Sequence, residues 1–144
     1  MESGGTHKLQ LKTVDQISIA VKDIDEVIQT WSSMFGIGPW TFADTDTTDS
    51  EGHPYKARLA FAYLGSVQIE LIQPGEGLRL HSDFLETVGE GLHHLGFRVD
   101  DVDGEASNLS AQGAKVLLAN PGRFAYMETG GPGGVIFEVI KGPS

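Results

Sequence analysis

The sequence predicts an α+β chain of two β-α-β-β-β units with curved mixed sheets around a shared cavity, and three observations lead there. First, residues 14–25 (VDQISIAVKDID) line up with residues 92–103 (LHHLGFRVDDVD) at an offset of 78, placing Gln16 on His94, Val21 on Val99 and Asp23 on Asp101. Second, residues 67–74 (VQIELIQP) resemble residues 135–142 (VIFEVIKG), placing Glu70 opposite Glu138. Third, each copy of the first segment alternates with period two and then passes at once into an acidic helix start.

The elements follow in order. Residues 1–12 have no periodic pattern and are expected to be a flexible tail, and residues 13–141 form one domain. Its first repeat is 13–74, its linker 75–91 and its second repeat 92–141. After the strand at 14–21, Asp23 with Glu26 fits a capping box with Asp in the cap position. Ile24, Val27, Ile28, Trp31 and Phe35 then mark one helical face, and Gly36 stands where a left-handed C′ residue belongs. A short strand at 38–42 and a polar, mobile loop at 43–54 come next, then strands at 58–64 and 67–74. The linker holds a short helix near 82–88. In the second repeat Val102, Ala106 and Leu109 mark a weaker helix ending at Gly113. Strands at 115–118 and 123–128 flank an Asn120-Pro121-Gly122 turn. The glycine-rich run 130–134 is expected to be a turn or pocket rim, because it has neither a following helix nor a Lys-Ser/Thr pair.

Composition narrows the function. A chain of 144 residues with 40% hydrophobic and 21% charged residues can build one core. There is no apolar run of membrane-spanning length and no signal-like N-terminus, so a cytoplasmic protein that binds no membrane is expected. Without cysteine there is no disulfide, thiolate metal site or thiol nucleophile. A net charge of −10 argues against nucleic acid as a partner.

Four polar residues stand out against this background. Glu70 lies between Ile69 and Leu71, and Glu138 between Phe137 and Val139. A glutamate in so apolar a strand is costly unless paired, hydrated or bound to a cation. Taken singly, each is best read as solvent-facing, Gln16 as structural and His94 as a packed histidine. Their matched places on the first and last strands of both repeats call for a common explanation, which a divalent metal supplies. Gln16, Glu70, His94 and Glu138 would then offer two carboxylates, one amide oxygen and one imidazole. With nitrogen and oxygen donors alone, zinc, cobalt, nickel and manganese all suit the set. His93, expected on the opposite face of its strand, reads as a structural histidine.

The paired units with these ligand candidates resemble the vicinal oxygen chelate superfamily, which includes glyoxalase I, bleomycin-resistance proteins and extradiol dioxygenases. The resemblance covers residues 14–141, and residues 67–74 and 84–101 (FLETVGEGLHHLGFRVDD) are most similar to methylmalonyl-CoA epimerases. It implies a metal that chelates neighbouring substrate oxygens and stabilises an enolate, in an isomerase, epimerase or lyase. The substrate would be an acyl thioester or a hemithioacetal. It also implies that Glu138 acts as ligand and base together, and that an epimerase-like second acid/base would come from Glu51 or His53. Two departures stand beside this. Epimerases begin the first strand with His where this chain has Gln16, so the ligand order resembles one class of glyoxalase I. The basic residues that hold glutathione in glyoxalase I have no clear counterpart.

Around the site, Arg123, Tyr126, Trp40, Phe61 and Tyr63 are pocket candidates, with Trp40 and Phe61 read first as core. Arg123 would clamp a carboxylate or phosphate. The alternative function is a non-catalytic small-molecule binding protein of the bleomycin-resistance type, against which four intact ligand candidates argue. A ring-cleaving dioxygenase would need two histidines and one carboxylate. A homodimer is expected of a chain of this size and kind.

Overall fold

The computed structural model describes residues 5–49, 51–130 and 135–142. Most of the glycine-rich run therefore lies outside the described residues. The elements run β1 (Gln16–Ala20), α1 (Ile24–Phe35), β2 (Thr41–Thr48), β3 (Pro54–Leu64), β4 (Val67–Pro74), α2 (Arg79–Thr87), β5 (Gly91–Val99), α3 (Val102–Ala111), β6 (Lys115–Asn120), β7 (Phe124–Glu128) and β8 (Ile136–Lys141).

One eight-stranded sheet has the order β2-β3-β4-β1-β5-β8-β7-β6, which reads the same from either end when one repeat is exchanged for the other. The two repeats join within this chain through the antiparallel β1–β5 pair, while β1–β4 and β5–β8 are parallel. Gln16 faces Gly96 and Ser18 faces His94 across β1–β5, as the offset of 78 requires of a twofold arrangement. The sheet curls into a half-barrel. Its concave wall receives residues from all eight strands.

The cores divide between the two faces. On the convex side α1 packs through Ile24 onto Val21, Ala60 and Leu71, and α3 through Val102 onto Val99, Ala125, Met127 and Val139. On the concave side α2 closes one end of the curl, where Leu78 is buried with Ala20, Tyr55, Ala57 and Ile72. Both convex helices use the expected cap. Asp23 accepts from the Glu26 N–H and Asp101 from the Gly104 N–H, and α1 stops at Gly36 with φ 66°, a conformation open to glycine at little cost.

Two expectations need correction. The loop expected over 43–54 is largely strand, because Thr41–Thr48 pairs with β3 residue by residue from Thr41–Phe61 to Thr48–Pro54. This edge strand is exposed along nearly its whole length. It therefore lacks the apolar alternation by which strands are recognised, although its threonines suit extended backbone. The turn is confined to the residues after Thr48, where Asp49 Oδ1 accepts from the N–H groups of Glu51 and His53. The described part of the tail, residues 5–12, is also anchored. Asn108 of α3 bonds both the N–H and the C=O of His7, and Leu9 packs onto the α3 cluster.

Candidate metal centre and cavity

The polar face of the central strands is turned inward. On β1, Gln16, Ser18 and Ala20 are buried beneath the concave wall, whereas Ile17 and Ile19 are only half-buried. Parallel pairing sets Ser18 beside Glu70 on β4 and Gly96 beside Glu138 on β8. The four ligand candidates thus come from four adjacent strands, two from each repeat.

Their contacts centre on His94, which is fully buried. Its Nε2 lies 2.9 Å from Glu138 Oε1, 3.2 Å from Gln16 Oε1 and 3.7 Å from Glu70 Oε1. Glu70 Oε1 also accepts the Ser18 hydroxyl at 2.7 Å, and Gln16 donates through Nε2 to Gln68 Oε1 at 2.9 Å. That bond orients the Gln16 amide so that its oxygen faces His94. Sequence reasoning passed over Ser18 and Gln68, although period-two alternation puts Ser18 on the face of Gln16 and Gln68 on that of Glu70.

Gly96 makes the approach possible. A β-carbon at this position would stand 2.8 Å from Ile140 Cδ1, 3.0 Å from Gln16 Cβ and 3.1 Å from Gln16 Oε1. Gly96→Ala is therefore expected to push the Gln16 side chain off its position and to cost about 1–3 kcal/mol of stability. Urea unfolding measures the stability, and a crystal structure of the variant shows the amide.

Burial sets the proton affinities. It pushes Glu138 up to about 8, opposed by the nearby Arg98 guanidinium. Burial also raises Glu70 to about 7, with His94 opposing and Glu138 reinforcing. His94 is pushed down to about 4 by burial, with Glu70 opposing. Two buried carboxylates that resist ionisation alone, set around an unprotonated imidazole, form a site that a cation would neutralise. The donors fit a divalent ion of the zinc, cobalt, nickel or manganese type, two carboxylates cancelling its charge.

The cavity beside these residues encloses about 340 Å³ and is lined by Arg98, Arg123, Tyr126, Tyr55, Phe61 and His81 among others. Arg123 and Tyr126 therefore line the cavity, and Phe61 is a cavity residue, not the core residue first expected. Three other candidates lie elsewhere. Trp40 packs on the convex side, its ring 6.3 Å from Trp31 and its Nε1 donating to the Ile37 carbonyl. Tyr63 is 58% exposed and does not line the cavity, though its hydroxyl accepts from Gln68. Glu51 is exposed in the β2–β3 turn next to His53, and neither residue lines the cavity. Arg98, another lining residue, was also missed in the sequence. Period-two alternation from His94 through Gly96 to Arg98 is the signal that could have found it.

His93 also departs from expectation. Ser18 pairs with His94 but Ile19 pairs with Leu92, so His93 is an extra residue in β5. This bulge re-aims its side chain, and His93 Nδ1 lies 2.8 Å from His94 Nδ1 instead of on the opposite face.

Comparison with known proteins places the chain in a class. The sequence profile of the Glyoxalase/Bleomycin resistance protein/Dioxygenase superfamily matches residues 15–128, and the chain belongs to that superfamily. Among curated proteins, the uncharacterised Bacillus subtilis protein YqjC is 27% identical over 137 residues, covering 91% of this chain and 93% of that protein. Among solved structures, a Streptomyces coelicolor methylmalonyl-CoA epimerase variant in complex with 2-nitronate-propionyl-CoA superposes with a TM-score of 0.71 at 23% identity, over 94% of this chain and all of that one. The Mycobacterium tuberculosis methylmalonyl-CoA epimerase gives 0.68 at 22% identity, over 96% and 95% of the two chains. These likenesses establish the fold.

Proposed function

We propose that the chain is a metal-dependent isomerase, epimerase or lyase that removes a proton next to a carbonyl. The observation that carries this reading is the convergence of Gln16 Oε1, Glu70 Oε1 and Glu138 Oε1 on His94 Nε2 beside a substrate-sized cavity. Gln16, Glu70, His94 and Glu138 would hold the ion, which would supply Lewis acidity to polarise the substrate carbonyl and stabilise the enolate. Glu138 would take the α-proton at a carboxylate oxygen, since its carboxylate lines the cavity and lies 2.9 Å from His94 Nε2. Returning the proton to the other face gives an epimer, and returning it to a neighbouring carbon gives an isomer. Arg123 and Arg98, both at the cavity, hold a substrate carboxylate or phosphate. Tyr126 lines the cavity and burial keeps its phenol protonated, so it would be available to donate a hydrogen bond to a substrate oxygen.

An acyl-CoA thioester is the favoured substrate class, since structural neighbours of this fold are methylmalonyl-CoA epimerases. A glutathione hemithioacetal comes second, favoured by the Gln, Glu, His, Glu order of the donors. The test is deuterium exchange in D₂O, followed by mass spectrometry, with methylmalonyl-CoA and with the methylglyoxal–glutathione hemithioacetal in parallel. Metal-dependent exchange into either supports the reading. No exchange into any acidic carbonyl compound, together with tight binding of an intact small molecule, favours the binding-protein alternative.

Gln16→His tests the donor set. Imidazole can replace the amide oxygen, so the variant is expected to keep zinc affinity within about tenfold of wild type by competition with a chromophoric chelator. The same reading includes a cytoplasmic homodimer, and light scattering at micromolar concentration checks its mass. No helix among the described residues is long and apolar enough to cross a membrane.

A further inference from the structure

Behind His94 lies a second histidine layer that the proposed chemistry does not use. His93 is almost fully buried, its Nδ1 is 2.8 Å from His94 Nδ1, and its Nε2 has no hydrogen-bond partner among the described residues. Its ring stacks on His81 of α2, with centroids 3.9 Å apart and planes at 19°, and meets Phe84 edge-on at 4.9 Å. His81 is fully buried, and neither of its ring nitrogens has a partner among the described residues. Orphaned buried donors and acceptors are costly, so apolar side chains here would give a more stable packing. Imidazoles in these places need another reason.

The three rings do not make a second metal centre of good geometry. An imidazole lone pair lies in the ring plane, and two nearly parallel stacked rings cannot both aim theirs at one ion without bending it far out of plane. The short Nδ1–Nδ1 contact is instead a hydrogen bond, and only one of its two nitrogens can carry the proton.

We infer that His93 is a positioning residue which fixes the tautomer of His94, accepting the His94 Nδ1–H at its own Nδ1 so that His94 Nε2 is left bare toward Gln16, Glu70 and Glu138. A ligating histidine ordinarily donates its other N–H to a carboxylate, carbonyl or water. A neutral imidazole performs the same service here without adding a third negative charge near the two glutamates. The bulge in β5 is what brings His93 to the inner side, and the stack on His81 holds its ring in the required plane. His93 then carries its own proton on Nε2, the atom without a partner.

This inference rests on the metal reading, and the experiment separates the two. Zinc affinity is measured by chelator competition for wild type, His93→Asn, His93→Leu and His93→Gln, with circular dichroism melts as a check on folding. Asparagine places an acceptor oxygen near the position of Nδ1, glutamine places it too far out and leucine has none. His93→Asn is expected to stay within about threefold of wild type, and His93→Leu and His93→Gln to lose 10–100-fold. In parallel, long-range ¹H–¹⁵N correlation spectra of the zinc-loaded wild-type protein are expected to show His94 protonated at Nδ1 and His93 protonated at Nε2. A His93 protonated at Nδ1, or a folded His93→Leu chain with wild-type affinity, would overturn the inference while leaving the metal site standing. Should the leucine variant fail to fold, the wild-type spectrum alone decides. Wild-type protein that takes up no zinc would overturn both.

Discussion

Glu138→Gln is expected to lose proton-exchange activity by at least 10²–10⁴-fold, because the substitution removes the proposed base from the reaction. It also removes one of two negative donors, so divalent-metal affinity is expected to fall by tenfold or more. Stability is expected to move the other way. An amide of the same shape needs no proton to rest in a buried site, whereas burial holds the Glu138 carboxyl at about 8. At pH 8 the metal-free variant should therefore be at least as stable as metal-free wild type. Measured together, the three readouts separate a lost functional group from a damaged fold. A variant that retains exchange with wild-type rates would remove Glu138 from the mechanism.

The second large effect is a pH dependence that metal reverses. Glu70 and Glu138 have folded-state values of about 7 and about 8 against an ordinary 4.5, so the metal-free native chain binds more protons than the unfolded one. Their contribution to stability is present at low pH and is lost as pH rises through the folded values. His93 and His94, lowered to about 3 and about 4 by burial, act in the opposite sense, and only below the ordinary 6.5. Between pH 6.5 and 8 the carboxylates govern. Metal-free protein is expected to lose on the order of 2 kcal/mol across that window, read as a falling urea midpoint. With saturating zinc the carboxylates are ionised by their ligand, binding tightens as protons become scarcer, and the slope is expected to flatten or invert. Parallel slopes with and without zinc would show that these carboxylates do not meet an ion.

Much of this was legible in the sequence because it is carried by strands with two distinct faces. The β1/β5 and β4/β8 copies repeat their polar residues in register, and a one-residue slip would turn every side chain to the other face, so pattern and geometry agree there. β2 was misread because an edge strand wetted on both sides has no alternation to display. The bulge at His93 was invisible for a different reason. Period-two reasoning assumes regular pairing, and one extra residue sends two neighbouring imidazoles the same way. Trp40 illustrates the remaining difficulty. An aromatic residue after Gly38-Pro39 serves a cavity or an outer face equally well in sequence, and only its packing against Trp31 decides for the outer face. His81 had no partner in the repeat to mark it.

The central claim is that Gln16, Glu70, His94 and Glu138 hold one divalent ion. Its most direct test is the metal content, by plasma mass spectrometry after saturation and desalting, of wild type and of Glu70→Ala, His94→Ala and Glu138→Ala. The expected result is close to one ion per wild-type chain, with each variant strongly depleted while still folded. A wild type that retains no divalent ion, or variants that retain as much as wild type does, would contradict the site and the enolate chemistry built on it.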